Sequence, residues 1–292
     1  MTSTSSSRTG TASTQPTTPL MWWIGVGSTV VSAGAAIQLV VLAERTDDFF
    51  AWTIAVPVSA AFIGLFYLAT TVMGVLGTRQ PWWAPARAAL IPVIGFVALV
   101  LAATLIHLEE FHLFSGGFPA RAAAWAWLAI YVVTVPMYLF GFWWQRRAPG
   151  GDPPRTVAPP RWARMALAGL AVVLAVVGLA LFAAPSLATT LWPWRLAPLS
   201  ARMTGVTLVS LALLAAAVVR IDDRTTGRIP AIGLLTFGLS ALAVLARYSD
   251  LVAWAHPSAW AFVAVAIALA VVAFAVLPRS SSRITGNVGD RA

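Results

Sequence analysis

The sequence predicts an all-α, polytopic integral membrane protein of about eight transmembrane helices arranged as two parallel four-helix repeats. Three observations predict it: the composition, the spacing of apolar runs and an internal match. Of 292 residues, 59% are hydrophobic and 10% charged, against about 45–50% apolar and about 25% charged in a soluble domain. The mean hydropathy of +0.82 implies more apolar surface than one water-facing core can hide, whereas hydrocarbon accepts it.

Apolar runs of about 17–25 residues suffice to cross a hydrocarbon layer of about 30 Å. Such runs cover 22–43, 51–77, 88–108, 121–144, 163–183, 200–219, 229–247 and 253–277. Residues 1–20 are rich in Ser, Thr and Pro and read as a disordered cytoplasmic tail, as do residues 279–292. Between the tails lie a first four-helix membrane unit, 21–144, a Pro/Gly/Arg-rich cytoplasmic linker, 145–163, and a second unit, 164–278. The first run opens with Trp22 and Trp23. It is too long for a signal-peptide core and lacks a basic leader, so it reads as a retained span.

All 19 basic residues are arginine. Fourteen fall in the two tails and in the loops after the second, fourth and sixth spans, while Arg45, Arg121, Arg195, Arg202 and Arg247 fall in the alternate loops. Arginine-rich short loops stay in the cytoplasm, which predicts both termini there and residence in the plasma (inner) membrane. The net charge of +9 then marks a polybasic face beside anionic lipid, and nucleic acid is not needed to explain it. Without Lys there is no Schiff base or P-loop lysine, and without Cys no disulfide, thiolate nucleophile or Fe–S cluster. No catalytic motif and no cofactor is indicated.

The internal match runs Pro57-Val-Ser59-Ala60-Ala-Phe-Ile-Gly64 against Pro198-Leu-Ser200-Ala201-Arg-Met-Thr-Gly205, at an offset of 141. Held without gaps over 57–110, the offset pairs ten identical residues among 54, where this composition gives about five by chance. The identities include Arg79 with Arg220 and Arg87 with Arg228, and Glu109 falls on Asp250. Four helices per unit give both halves one orientation, the parallel-repeat arrangement of some transporters, whose substrates sit between the halves.

No Asp, Glu, His or Arg lies near mid-span, which argues against proton- or cation-coupled transport. The span interiors hold only neutral polar groups such as Gln38, Thr70, Thr71, Thr104, Tyr131 and Thr134. Charge gathers at the outer face. Glu109, Asp250, Arg202 and Arg247 form a candidate substrate site in a vestibule between the halves, with interfacial ion pairing of Arg247 to Asp250 as the plainer account. His107, Glu109, Glu110 and His112 form a candidate metal site, although one helix cannot aim all four at one ion. Trp82, Trp83, Trp125, Trp127, Trp143, Trp144, Trp192, Trp194, Trp254 and Trp260 lie near span ends and read as interfacial belts. Pro57, Pro92 and Pro136 read as kinks within spans, and Ser28/Ser32 and Thr70/Gly74 as close helix contacts.

The first functional reading is permease-like handling of a small molecule between the repeats. A second is a non-catalytic accessory or scaffold subunit with a membrane-protein partner. A third is a membrane enzyme or metal-binding protein built on the outer His/Glu cluster.

Overall fold

The computed structural model describes residues 13–187 and 192–278. Among them, eight helices are long and apolar enough to cross a membrane. These are α1 (Pro19–Ala36), α2 (Pro57–Thr78), α3 (Trp83–Ile106), α4 (Phe118–Gln145), α5 (Arg161–Ala183), α6 (Pro198–Ile221), α7 (Arg228–Arg247) and α8 (Pro257–Val276). One π-helical turn, Ile37–Val41, extends α1. The expected tails at 1–12 and 279–292 lie outside the described residues.

Proline sets several of these starts. In α1, α2, α4, α6 and α8 a proline occupies the first or second helical position, where its missing N–H would have had no intrahelical partner. Pro57 therefore opens α2 and does not kink it, whereas Pro92 and Pro136 do lie inside α3 and α4. The expected span at 51–77 is shortened for the same reason, because residues before a proline are pushed toward extended backbone. Residues Ala51–Val56 form an irregular strap in which Trp52 bridges to Phe111, and the His112 N–H donates to the Ala51 carbonyl at 2.9 Å. Ala51, Trp52 and Ile54 of the strap are buried, and Trp52 and the preceding Phe50 pack on Trp127.

Helices α2, α6 and α7 form the interior and α1, α4 and α5 the lipid-facing rim. Two thirds of the most apolar stretch of α2 and of α6 is buried (67%), against 17% for α1. Each half packs its first helix on its second, α1 on α2 and α5 on α6, and between halves α2 packs on α7 and α3 on α6. The matched glycines lie at the first of these crossings. A Cβ on Gly64 would meet Val40 and Leu39 at the end of α1, and one on Gly205 would lie 2.5 Å from the Gly178 carbonyl of α5. Gly74 approaches Thr29 in the same way, whereas Ser28 and Ser32 line a cavity. Helices α3 and α7 end alike, in a short 3-10 turn at Leu108–Glu110 and Ser249–Leu251.

Three of the tryptophans expected in interfacial belts are core residues. Trp83, Trp127 and Trp194 are buried, and the indole N–H of Trp127 donates to Thr104 Oγ1 at 3.0 Å while that of Trp194 donates to Ser59 Oγ at 2.9 Å across the halves. The buried hydroxyls draw these rings inward by satisfying their one polar atom. Trp82, Trp125, Trp143, Trp144 and Trp260 are exposed, as an interfacial belt requires.

Residues 13–18, expected as tail, are ordered on the arginine-rich face. The buried Gln145 side chain accepts from the Thr18 N–H at 2.8 Å and donates to the Pro16 carbonyl at 2.8 Å, and the Gln15 amide donates to the Ala148 carbonyl. The linker is pinned as well. The Asp223 carboxylate accepts from the Thr156 and Val157 N–H groups, the Thr156 hydroxyl and the Thr226 N–H. Burial alone would raise its pKa, but these donors to the ionised form prevail and hold it well below the usual carboxylate range.

Candidate functional site

The four residues expected in an outer vestibule do not converge on one cleft. Arg247 at the end of α7 pairs with Glu44 at 3.5 Å and donates to the Val40 carbonyl at the end of α1. It makes no ion pair with Asp250, which is exposed. Arg202 turns the other way, donating to the Phe182 carbonyl at the end of α5 and to the Nε2 of His107. Glu109 is exposed, 3.9 Å from His107 Nδ1. The two arginines thus cap the open carbonyl ends of α1 and α5, a task that exposed helix termini generally need done.

The His/Glu cluster is likewise divided. His107 is buried against Arg202, and both burial and that guanidinium lower its pKa, outweighing the opposing pull of Glu109 and Glu110. Its imidazole is neutral at neutral pH, with Nε2 committed as acceptor. His112 faces the strap, its ring nitrogens 3.0 Å from Thr53 Oγ1 and 3.3 Å from the Phe50 carbonyl. Glu109 and Glu110 are exposed. Among the described residues no three His, Cys, Asp or Glu side chains are grouped to hold a metal ion; His107 is committed to Arg202 and His112 to the strap.

A different site lies at mid-depth in the first half. Helices α1 to α4 enclose a cavity of about 410 Å³ lined by Ser28, Ser32, Tyr67, Thr70, Tyr131, Thr134 and Tyr138, with Phe96 and Val97 completing its apolar wall. The Tyr67 and Tyr131 hydroxyls share a hydrogen bond, and Tyr138 donates to Ser28 Oγ at 2.8 Å. Thr70 donates to the Tyr67 carbonyl at 2.9 Å. No charged side chain is among the lining residues. Val31 of α1 and Val133 of α4 line it too and are themselves exposed, so its mouth faces the lipid between these two rim helices. A narrower cavity of about 100 Å³ shares Ser28, Ser32, Thr70 and Tyr138 and continues past Gly74 to Thr17, Trp22 and Thr78 at the arginine-rich face.

Tyr131, Thr134 and Thr70 were visible in the sequence as neutral polar groups inside spans, but Tyr67, Tyr138 and the cavity role of Ser28 and Ser32 were not. One signal was available: three of the four tyrosines fall inside the first four spans.

The second half has its own cavity, of about 360 Å³, between α5, α6, α7 and α8. Residues 141 apart line both. Ser32, Tyr67, Thr70 and Phe96 of the first correspond to Val173, Leu208, Leu211 and Phe237 of the second. Hydroxyls become hydrocarbon while the phenyl ring is kept. No protein-family model, curated protein or solved structure matches this chain significantly.

Proposed function

We propose that this multi-pass membrane protein, built of two duplicated four-helix units, takes a neutral small molecule from the lipid phase into the first unit's chamber. The molecule has an apolar body and a hydroxyl or carbonyl end. The observation that carries this is the chamber itself, charge-free, hydroxyl-lined and open between α1 and α4.

Each ingredient selects. A volume near 410 Å³ falls in the range of about 300–1,000 Å³ typical of small-molecule sites. Phenol and alcohol groups both donate and accept, so they match a hydroxyl or a carbonyl equally. An ion would lose its hydration there without a countercharge, a cost that excludes it. The narrower extension toward Thr17 and Thr78 supports permease-like passage from the bilayer toward the arginine-rich face, gated where Tyr138 meets Ser28. This moves the handling site from between the repeats into one of them.

The test is photolabelling of the purified chain in liposomes with a diazirine-bearing long-chain alcohol, followed by peptide mapping. Saturable labelling of α1 and α4 around Ser32 and Thr134, displaced by unlabelled alcohol, is the expected result. Unsaturable labelling spread over all rim helices would overturn the reading.

A further inference from the structure

A fourth cavity, of about 580 Å³, lies where α3, α4 and α6 meet the linker on the arginine-rich face. Arg87, Arg155 and Arg220 line its mouth. The available countercharges are largely spent. Asp152 holds Arg87 at 2.6 Å, and both oxygens of Asp223 accept from Thr156, Val157 and Thr226. Arg155 and Arg220 are exposed and have no carboxylate partner among the described residues. Above the mouth the wall turns apolar along one side of α3 and α6, through Ala88, Ile91, Leu213 and Ala217, with Ile91 and Leu213 open toward lipid.

We propose that this cavity binds the phosphodiester headgroup of an anionic phospholipid, with Arg155 and Arg220 on the phosphate and an acyl chain along Ile91 and Leu213. Guanidinium forks fit phosphate oxygens in pairs, and basic pockets between transmembrane helices are headgroup sites. The amphiphilic shape favours a lipid over free phosphate, which has no use for the apolar wall. The internal match supplies a separate argument. Its charged identities are Arg79 with Arg220 and Arg87 with Arg228. Since α3 packs on α6 and α2 on α7, the offset relates the Arg87/Arg220 junction to an Arg79/Arg228 junction on the same face. The site is independent of the tyrosine chamber and survives if that reading fails.

Native mass spectrometry of the full-length chain in detergent tests it, with phosphatidylglycerol, phosphatidylcholine and inorganic phosphate as probes. Phosphatidylglycerol adducts should persist at collision energies that strip phosphatidylcholine. Arg155→Gln and Arg220→Gln should each weaken phosphatidylglycerol binding about five-fold, and together about 25-fold. Ala217→Phe, which fills the apolar wall, should weaken the lipid too. Arg155 lies in the exposed linker, so its variant leaves helix packing untouched and keeps the test decisive if the others fail to fold. Equal retention of both lipids, an unaffected double variant, or displacement of the lipid by millimolar phosphate would overturn the proposal, the last by assigning the site to a free anion.

Discussion

The first four helices enclose a cavity of about 410 Å³ and the last four one of about 360 Å³, and the two are lined from corresponding positions with opposite chemistry. Tyr67 faces one and Leu208 the other; Thr70 answers to Leu211 and Ser32 to Val173. The helix crossings around them are shared, since Gly64 sits against the end of α1 as Gly205 sits against α5. Scaffold and chemistry are therefore separable in this protein. The glycines and the paired contacts hold the form, while Ser32, Tyr67 and Thr70 carry hydroxyls where the second cavity has Val173, Leu208 and Leu211.

The scaffold side of the comparison breaks first at the glycines. A methyl on Gly205 would lie 2.5 Å from the Gly178 carbonyl and 2.8 Å from the Phe182 nitrogen, both backbone atoms, whereas on Gly64 its nearest neighbours are the Val40 and Leu39 side chains. Gly205→Ala should cost about 3 kcal/mol and Gly64→Ala about 2 kcal/mol, because the Val40 methyl can turn aside while the Leu39 Cβ, at 2.8 Å, is fixed to its backbone. Thermal unfolding in detergent, followed by circular dichroism, ranks the two; equal losses would show that the two crossings are equally tight and would contradict this ranking.

The chemical side is sharpened by making one cavity resemble the other. Tyr67→Leu installs the second half's residue and leaves the buried Tyr131 hydroxyl without its partner, a loss of about 2 kcal/mol in stability. The reverse change, Leu211→Thr, removes a fully buried isobutyl group and should cost about 3 kcal/mol, although its hydroxyl can bond its own helix as Thr70 does. Parallel unfolding curves check both losses. A Tyr67→Leu variant as stable as the wild type would mean the hydroxyls of the first half are not a linked set.

The smallest effect concerns the caps on the face opposite the arginine-rich one. His107 is held neutral by burial and by Arg202, so the unfolded chain takes up a proton more readily than the folded one. Its contribution is complete above the ordinary imidazole pKa of 6.5 and declines as pH falls below it. The Arg247–Glu44 cap on α1 contains no imidazole. The melting temperature should fall modestly between pH 7 and pH 5, and His107→Gln, which keeps an acceptor for Arg202, should flatten that slope; an unchanged slope would remove His107 from the cap.

Much of this architecture was legible in the sequence because a charge-free run of about 20 residues has few fates other than crossing a membrane. The run at 51–56 misled, since Phe50 and Trp52 are as apolar as any span residue and only Pro57 marked where the helix begins. Trp127 was misplaced for a similar reason: its position near a span end suited a belt, and only Thr104 opposite it shows why the ring turns inward. The charges at these span ends were visible, but not their partners, because Arg202 meets His107 from 95 residues away in the chain. The tyrosine chamber was hidden for the same reason. Ser28, Tyr67, Tyr131 and Tyr138 come from three helices, and no periodicity within one of them announces a shared cavity.

The most direct measurement compares the chamber with itself once its polarity is gone: saturable diazirine-alcohol labelling of α1 and α4 in the wild type and in the Tyr67→Leu/Thr70→Leu double variant. Loss of saturable labelling from a variant that still elutes as folded protein is the result expected. Undiminished labelling in the double variant, or equal labelling of the second half's hydrocarbon cavity in the wild type, would contradict the claim that these hydroxyls select the ligand.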